Sequence, residues 1–123
     1  MPAQAGHTPR GPAGTIRAFI WSLQGLRAAW LYEASFRLEV VLAAVLIPFA
    51  LLLDRGAIER LLLIVAVLFV LAMELINSAV ETAIDRIGSE HHELSGRAKD
   101  LGSAAVLVAI VAAAATWVVV LAQ

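Results

Sequence analysis

The sequence predicts an all-α membrane protein, with an amphipathic surface helix at its N-terminal end followed by three transmembrane helices. Three observations carry that reading. The 123-residue chain is 61% hydrophobic and only 15% charged, and its mean hydropathy is +0.86. Its apolar residues gather in runs at 40–53, 61–73 and 101–122, and ahead of them residues 15–32 repeat apolar side chains at three- and four-residue steps. A soluble domain of this size cannot cover so much apolar surface, because small globules leave a large share of the chain exposed. Nine basic and ten acidic residues exclude a nucleic-acid binder, which needs a basic excess. There is no cysteine, hence no disulfide framework and no thiolate chemistry.

Taken in order, residues 1–14, MPAQAGHTPRGPAG, are rich in Pro, Gly and Ala and lack the apolar core of a signal peptide. They are expected to form a disordered tail, leaving 15–123 as a single integral-membrane domain. Over 15–32, Ile16, Phe19, Ile20, Leu23, Leu26 and Trp30 share one helical face while Arg17, Gln24 and Arg27 share another. With Trp21, Trp30 and Tyr32 this pattern suits a helix lying in the membrane interface. The apolar run 40–53 is short of the roughly 20 residues a crossing needs. The first span is therefore expected over 35–53, carrying Arg37 and Glu39 near one end and kinked at Pro48. After the turn DRGAIER comes a second span over 57–86, and 101–122, without a charge, is the third. Ala105, Ala109 and Ala113 give the third span a small-residue stripe that lets helix backbones approach. Three spans make a thin bundle, which points to a homo-oligomer.

Orientation follows from the basic residues. Arg10, Arg17, Arg27, Arg37, Arg86, Arg97 and Lys99 fall on one side, against Arg55 and Arg60 on the other. The positive-inside bias then places the N-terminus and the 86–100 loop in the cytoplasm.

The second span holds residues that do not belong in lipid. Glu74, Asn77, Ser78, Glu81 and Asp85 are offset from the first by 3, 4, 7 and 11 positions, within about 60° of one another's face at roughly 100° per residue. Ionisable groups in a membrane helix cost at least ~2.5 kcal/mol each and face a protein interior. Three carboxylates on one stripe repel unless cations or protons join them. With Arg60 at the outer boundary, a rise of about 1.5 Å per residue puts Glu74 about 21 Å in and Glu81 about 31 Å in, against a core of about 30 Å. Glu81 and Asp85 then lie at the cytoplasmic interface and Glu74 just beneath it, at the depth of a lipid hydroxyl and placed to act as a general base.

The following segment, DRIGSEHHELSGRAKD, brings Glu90, His91, His92, Glu93, Arg97, Lys99 and Asp100 together, a set suited to a metal-bound phosphate ligand. No Walker A or GxGxxG spacing is present, and two adjacent histidines alone are a poor zinc signature.

The stretches GLRAAWLYEASFRLE and ELINSAVETAIDRIGSEHHELSGRAKDLGSAA closely resemble the bacterial integral-membrane diacylglycerol kinase family, over the chain from about Ile16 to the last helix. The resemblance implies a homotrimer in the bacterial cytoplasmic (inner) membrane, with active sites near the cytoplasmic interface shared between subunits. It implies transfer of the ATP γ-phosphoryl to the free hydroxyl of diacylglycerol, with Mg2+. Residue by residue, it places Glu74 at the catalytic base and Glu33 and Glu81 at the metal-holding carboxylates. Glu90, His91, His92, Lys99 and Asp100 fall at nucleotide-contacting positions, and Asn77 and Asp85 at polar positions of the site. Two positions depart from the family pattern. Trp21 stands at a nucleotide-side position that is commonly Tyr, and Gly14 stands where the family has a basic residue, leaving Arg10 or Arg17 as substitutes.

Two other readings compete. A related branch of the fold phosphorylates undecaprenol, although the surface helix and GLRAAW resemble the diacylglycerol branch. A small oligomeric proton-coupled transporter would use Glu74, Glu81 and Asp85 as a relay, but residues 61–73 offer no polar group on the outer half of that helix.

Overall fold

The computed structural model describes residues 11–88 and 90–123, and its elements are four α-helices: α1 (Pro12–Tyr32), α2 (Ala34–Leu52), α3 (Ala57–Ile87) and α4 (Glu93–Leu121). Residues 1–10 of the expected tail lie outside the described residues. Helix α1 starts at Pro12 instead of Thr15, after Gly11 at φ 78°, because proline at the first helical position gives up only an N–H that would have had no intrahelical partner.

The chain breaks between α1 and α2 at a single residue, Glu33, which is extended with φ −116° and ψ 102°. Arg37 ties this elbow together: its Nη1 donates to the carbonyls of Trp30 at 2.8 Å and Leu31 at 3.2 Å. A cation there answers both the open carbonyls and the negative end of the α1 dipole.

Helix α2 runs through Pro48 to Leu52. The 31 residues of α3 make a rod of about 46 Å, and the 29 of α4 one of about 44 Å, both longer than a hydrocarbon core of about 30 Å. Helices α2, α3 and α4 are each long and apolar enough to cross a membrane.

The start of α4 corrects the expectation of a loop over 86–100. A charge-free run marks what lipid can cover, whereas the helix itself begins where it is capped. His92 Nδ1 accepts from the Leu94 N–H at 3.0 Å. Glu93 sits in the first turn, at the positive end of the dipole, and Arg97 approaches it at 3.5 Å one turn on. The segment ELSGRAKD is therefore helical, and its Gly96 lies within the helix.

Packing is most extensive between α3 and α4, then between α2 and α3, while α1 packs on α2. At the end away from the polar stripe, Ala50, Leu63 and Val120 are buried against Leu53, Ile64 and Trp117. Trp117 Nε1 donates to the Leu63 carbonyl at 3.2 Å, and its ring stacks on Phe49 with centroids 6.2 Å apart. Arg55 closes the same end by donating to the carbonyls of Gln123 at 2.6 Å and Leu121 at 3.4 Å. In the α4 alanine stripe Ala109 is fully buried, as close backbone approach requires. The apolar side chains of α1, Ile16, Phe19, Ile20, Leu23, Leu26 and Trp30, are exposed.

Trp117→Phe is expected to keep the stacking and lose about 0.6 kcal/mol, the average for a side-chain hydrogen bond in a membrane bundle. Trp117→Ala should lose clearly more. Reversible unfolding of the purified protein in SDS, followed by helical circular dichroism, measures both.

Candidate functional site

The site is built on α3, because the apolar first half of that helix carries the second half to the membrane boundary as one rigid rod. Glu74, Asn77 and Ser78 are buried, at 6%, 9% and 8% exposure. Glu81 is half-buried and Asp85 exposed, so the stripe runs from protein interior to open surface. Asn77 Nδ2 donates to Glu81 Oε1 at 3.2 Å. Asn77 Oδ1 and Ser78 Oγ are buried without a hydrogen-bond partner, which leaves two polar atoms unanswered beside Glu74.

Carboxylates from two further positions converge here. The charges of Glu33, in the α1–α2 elbow, and Glu81 both act on Glu74, and the charge of Glu74 acts on Glu39 of α2. Two helices and the elbow thus contribute negative groups that act on one another, an arrangement that attracts a cation. Among the described residues no three His, Cys, Asp or Glu side chains form a closed metal cage. That donor set fits Mg2+ in its usual protein setting, where one or two carboxylates hold an ion otherwise bound by substrate phosphates and water.

A second group lies one turn further out. Ile84, Asp85 and Gly88 of the α3 end, with Glu90, His91, His92, Ser95, Gly96 and Lys99, line a polar cavity of about 270 Å³. Lys99 Nζ donates to Asp85 Oδ1 at 2.7 Å, and the Glu81 charge also reaches Lys99. That lysine therefore connects the cavity to the carboxylate group. The His92 cap fixes its ring, since Nδ1 is engaged with Leu94, leaving Nε2 as the nitrogen free to face a ligand.

Of the candidates read from the sequence, the chain brings together Glu33, Glu74, Asn77 and Glu81 as one group, and Asp85, Glu90, His91, His92 and Lys99 as another. Asp100 is exposed on α4 and does not line the cavity. Arg17 is exposed and Trp21 half-buried, both on α1, away from the cavity lining.

Glu39 is the residue that sequence reasoning missed. It is half-buried, its Oε2 has no hydrogen-bond partner, and it is the one charged residue in the wall of an apolar groove of about 520 Å³ between α2, α3 and α4. The signal available was an ionisable side chain inside a membrane helix, which was passed over as a helix end near the interface. Arg37, noted with it, holds the elbow that carries Glu33.

Comparison with known proteins bears on this geometry. The family model described as prokaryotic diacylglycerol kinase matches residues 20–121. The chain is similar to the diacylglycerol kinase of Escherichia coli (strain K12), 55% identical over 106 residues that span 86% of this chain and 87% of the relative. It is 52% identical to the diacylglycerol kinase of Haemophilus influenzae over 102 residues, 83% of this chain and 86% of that one. With the diacylglycerol kinase of Pseudomonas aeruginosa it shares 48% identity over 106 residues, 86% of each chain.

Replacing His92 by Ala is expected to fray the first turn of α4, at a local cost of roughly 0.5–1 kcal/mol, while Asn at the same position should restore the cap. Amide hydrogen exchange at Leu94, Ser95 and Gly96 reads this directly: faster in the alanine variant, recovered in the asparagine one.

Proposed function

The chain belongs to the prokaryotic diacylglycerol kinase family, and from that premise we propose that it phosphorylates diacylglycerol to phosphatidic acid with ATP at the cytoplasmic face of the bacterial inner membrane. The observation that carries the reading is the buried carboxylate Glu74, which lies along α3 between the apolar groove walled by Val70 and Leu71 and the polar, His- and Lys-lined cavity that begins at Ile84. A lipid and a nucleotide are the two substrates those surroundings suit.

In this reading the groove takes acyl chain and the cavity takes nucleotide. The hydroxyl oxygen of diacylglycerol bonds to the γ-phosphorus, the bond from that phosphorus to the bridging oxygen breaks, ADP departs, and the hydroxyl proton passes to a Glu74 carboxylate oxygen. Glu33 and Glu81 would hold Mg2+, which when bound neutralises charge on the transferring phosphates. Glu90, His91, His92, Lys99 and Asp100 contact nucleotide, with Trp21 and Arg17 closing the site from α1. Asn77 orients Glu81, and Asp85 holds Lys99.

Two coarser features complete the proposal. The exposed apolar face of α1 suits a helix lying in the membrane interface, with the N-terminus cytoplasmic by the positive-inside bias. A homotrimer, which the family resemblance implies, would build each site from more than one subunit, with Asp100 lying outside the cavity lining of its own chain. Undecaprenol is the competing substrate, and the names of the relatives favour diacylglycerol.

Purified protein in mixed micelles, given labelled ATP, Mg2+ and each lipid in turn, should phosphorylate diacylglycerol; a clear preference for undecaprenol sinks the substrate assignment. Glu74→Gln is expected to bind ATP as before yet lose essentially all transfer, and appreciable turnover would remove Glu74 from the base role. Glu81→Ala should instead weaken Mg2+-dependent ATP binding by calorimetry, roughly 10-fold or more, as the loss of a group that orders a metal site does.

A further inference from the structure

Helices α3 and α4 meet closely at Asn77 and Gly102. A Cβ added to Gly102 would overlap Asn77 Oδ1 and lie 3.4 Å from its Cγ and 3.8 Å from its Cα. Only hydrogen fits there. Gly102 is in the interior of α4, where glycine costs about 1 kcal/mol relative to alanine, and its φ is not positive. Backbone geometry therefore does not require glycine, but the neighbouring amide does. That amide is buried, with Oδ1 against α4 and Nδ2 directed at Glu81 Oε1.

We propose that Gly102 is a positioning residue for Glu81, acting through Asn77. By leaving room for the Asn77 amide, it lets the amide hold the Glu81 carboxylate in the arrangement that receives the nucleotide's cation. The inference rests on the reading of Glu81 as a metal-holding carboxylate. An alanine at 102 forces the softest neighbour to move, and that neighbour is the end of the Asn77 side chain rather than the α3 backbone. The helix pair survives, while the bond to Glu81 is lost.

The test measures Mn2+ binding to the whole protein by electron paramagnetic resonance, with a non-hydrolysable ATP analogue present, beside the Mg2+ dependence of turnover. Gly102→Ala is expected to weaken Mn2+ binding about tenfold, within the range for lost outer partners of metal ligands, with helical circular dichroism and the KM for diacylglycerol unchanged. Asn77→Ala should give a similar loss. Gly102→Ala added to Asn77→Ala should then cost nothing further, because the smaller side chain has vacated the space. Unchanged Mn2+ affinity in Gly102→Ala overturns the proposal, and so does an equal further loss in the Asn77→Ala background. If Gly102→Ala alone does not assemble, Asn77→Ala still decides, since unaltered Mn2+ affinity there removes the link between Asn77 and Glu81. A parent protein that binds no Mn2+ with the nucleotide overturns the metal reading itself, an outcome visible before any variant is compared.

Discussion

A charge surrounded by hydrocarbon has neither water nor counter-ion, and covering Glu74 is the constraint on which the rest of the chain depends. Hydrocarbon cannot solvate a carboxylate, so protein must surround it, and α2 and α4 pack on α3 to do so. Burial of Glu74 at 6% exposure in a chain whose apolar surface is otherwise largely exposed shows where packing is concentrated. The small residues of α4 follow from this, since a backbone must come close before it can shield a side chain. So do the polar neighbours, which sit on the same stripe because only that face is covered.

The helix ends obey a related constraint, that carbonyls without helical partners must find donors near lipid. Basic side chains supply them. Arg37 covers the end of α1, Arg60 donates to Leu51 near the end of α2 at 3.4 Å, and Arg55 covers the end of α4. The Arg37 bond ties α2 to α1, the Arg60 bond ties α3 to α2, and the Arg55 bonds tie the α2–α3 turn to the end of α4. At the far end the Arg55 and Arg60 ties and the Trp117 contacts hold the helices together, and the polar cavity opens at the opposite end.

The membrane class, the spans and the α3 stripe were legible in the sequence, because they are properties of one helix at a time. Glu74, Asn77, Ser78, Glu81 and Asp85 share a face by rotation alone, whatever packs against them. The boundaries of α2 and α3 came within about a residue for the same reason. What pattern could not show depends on two segments at once. The charge of Glu33 acts on Glu74 from the elbow between α1 and α2, and its proposed metal role came from family resemblance. Glu39 becomes part of the site only when α2 lies on α3. The helical start of α4 was hidden by a histidine cap, outside the usual Ser, Thr, Asp and Asn set, and by the charged residues that precede the apolar run. Gly102 answers to a side chain on another helix, which no periodicity records.

The length and continuity of α3 have a consequence for the membrane around it. Because one unbroken helix of 31 residues carries the apolar span and all the carboxylates of the stripe, their axial separations are set like marks on a ruler, about 10 Å from Glu74 to Glu81 and about 16 Å from Glu74 to Asp85. The helix can tilt or shift against the bilayer, but it moves every mark together. Hydrophobic mismatch is relieved by such tilting and by local changes in bilayer thickness. Under the proposed function, acyl-chain length in the host membrane is thereby a physical control on the site: it sets how far below the headgroups Glu74 stands, and with it how well a lipid hydroxyl anchored at its own depth comes into register with the proposed base.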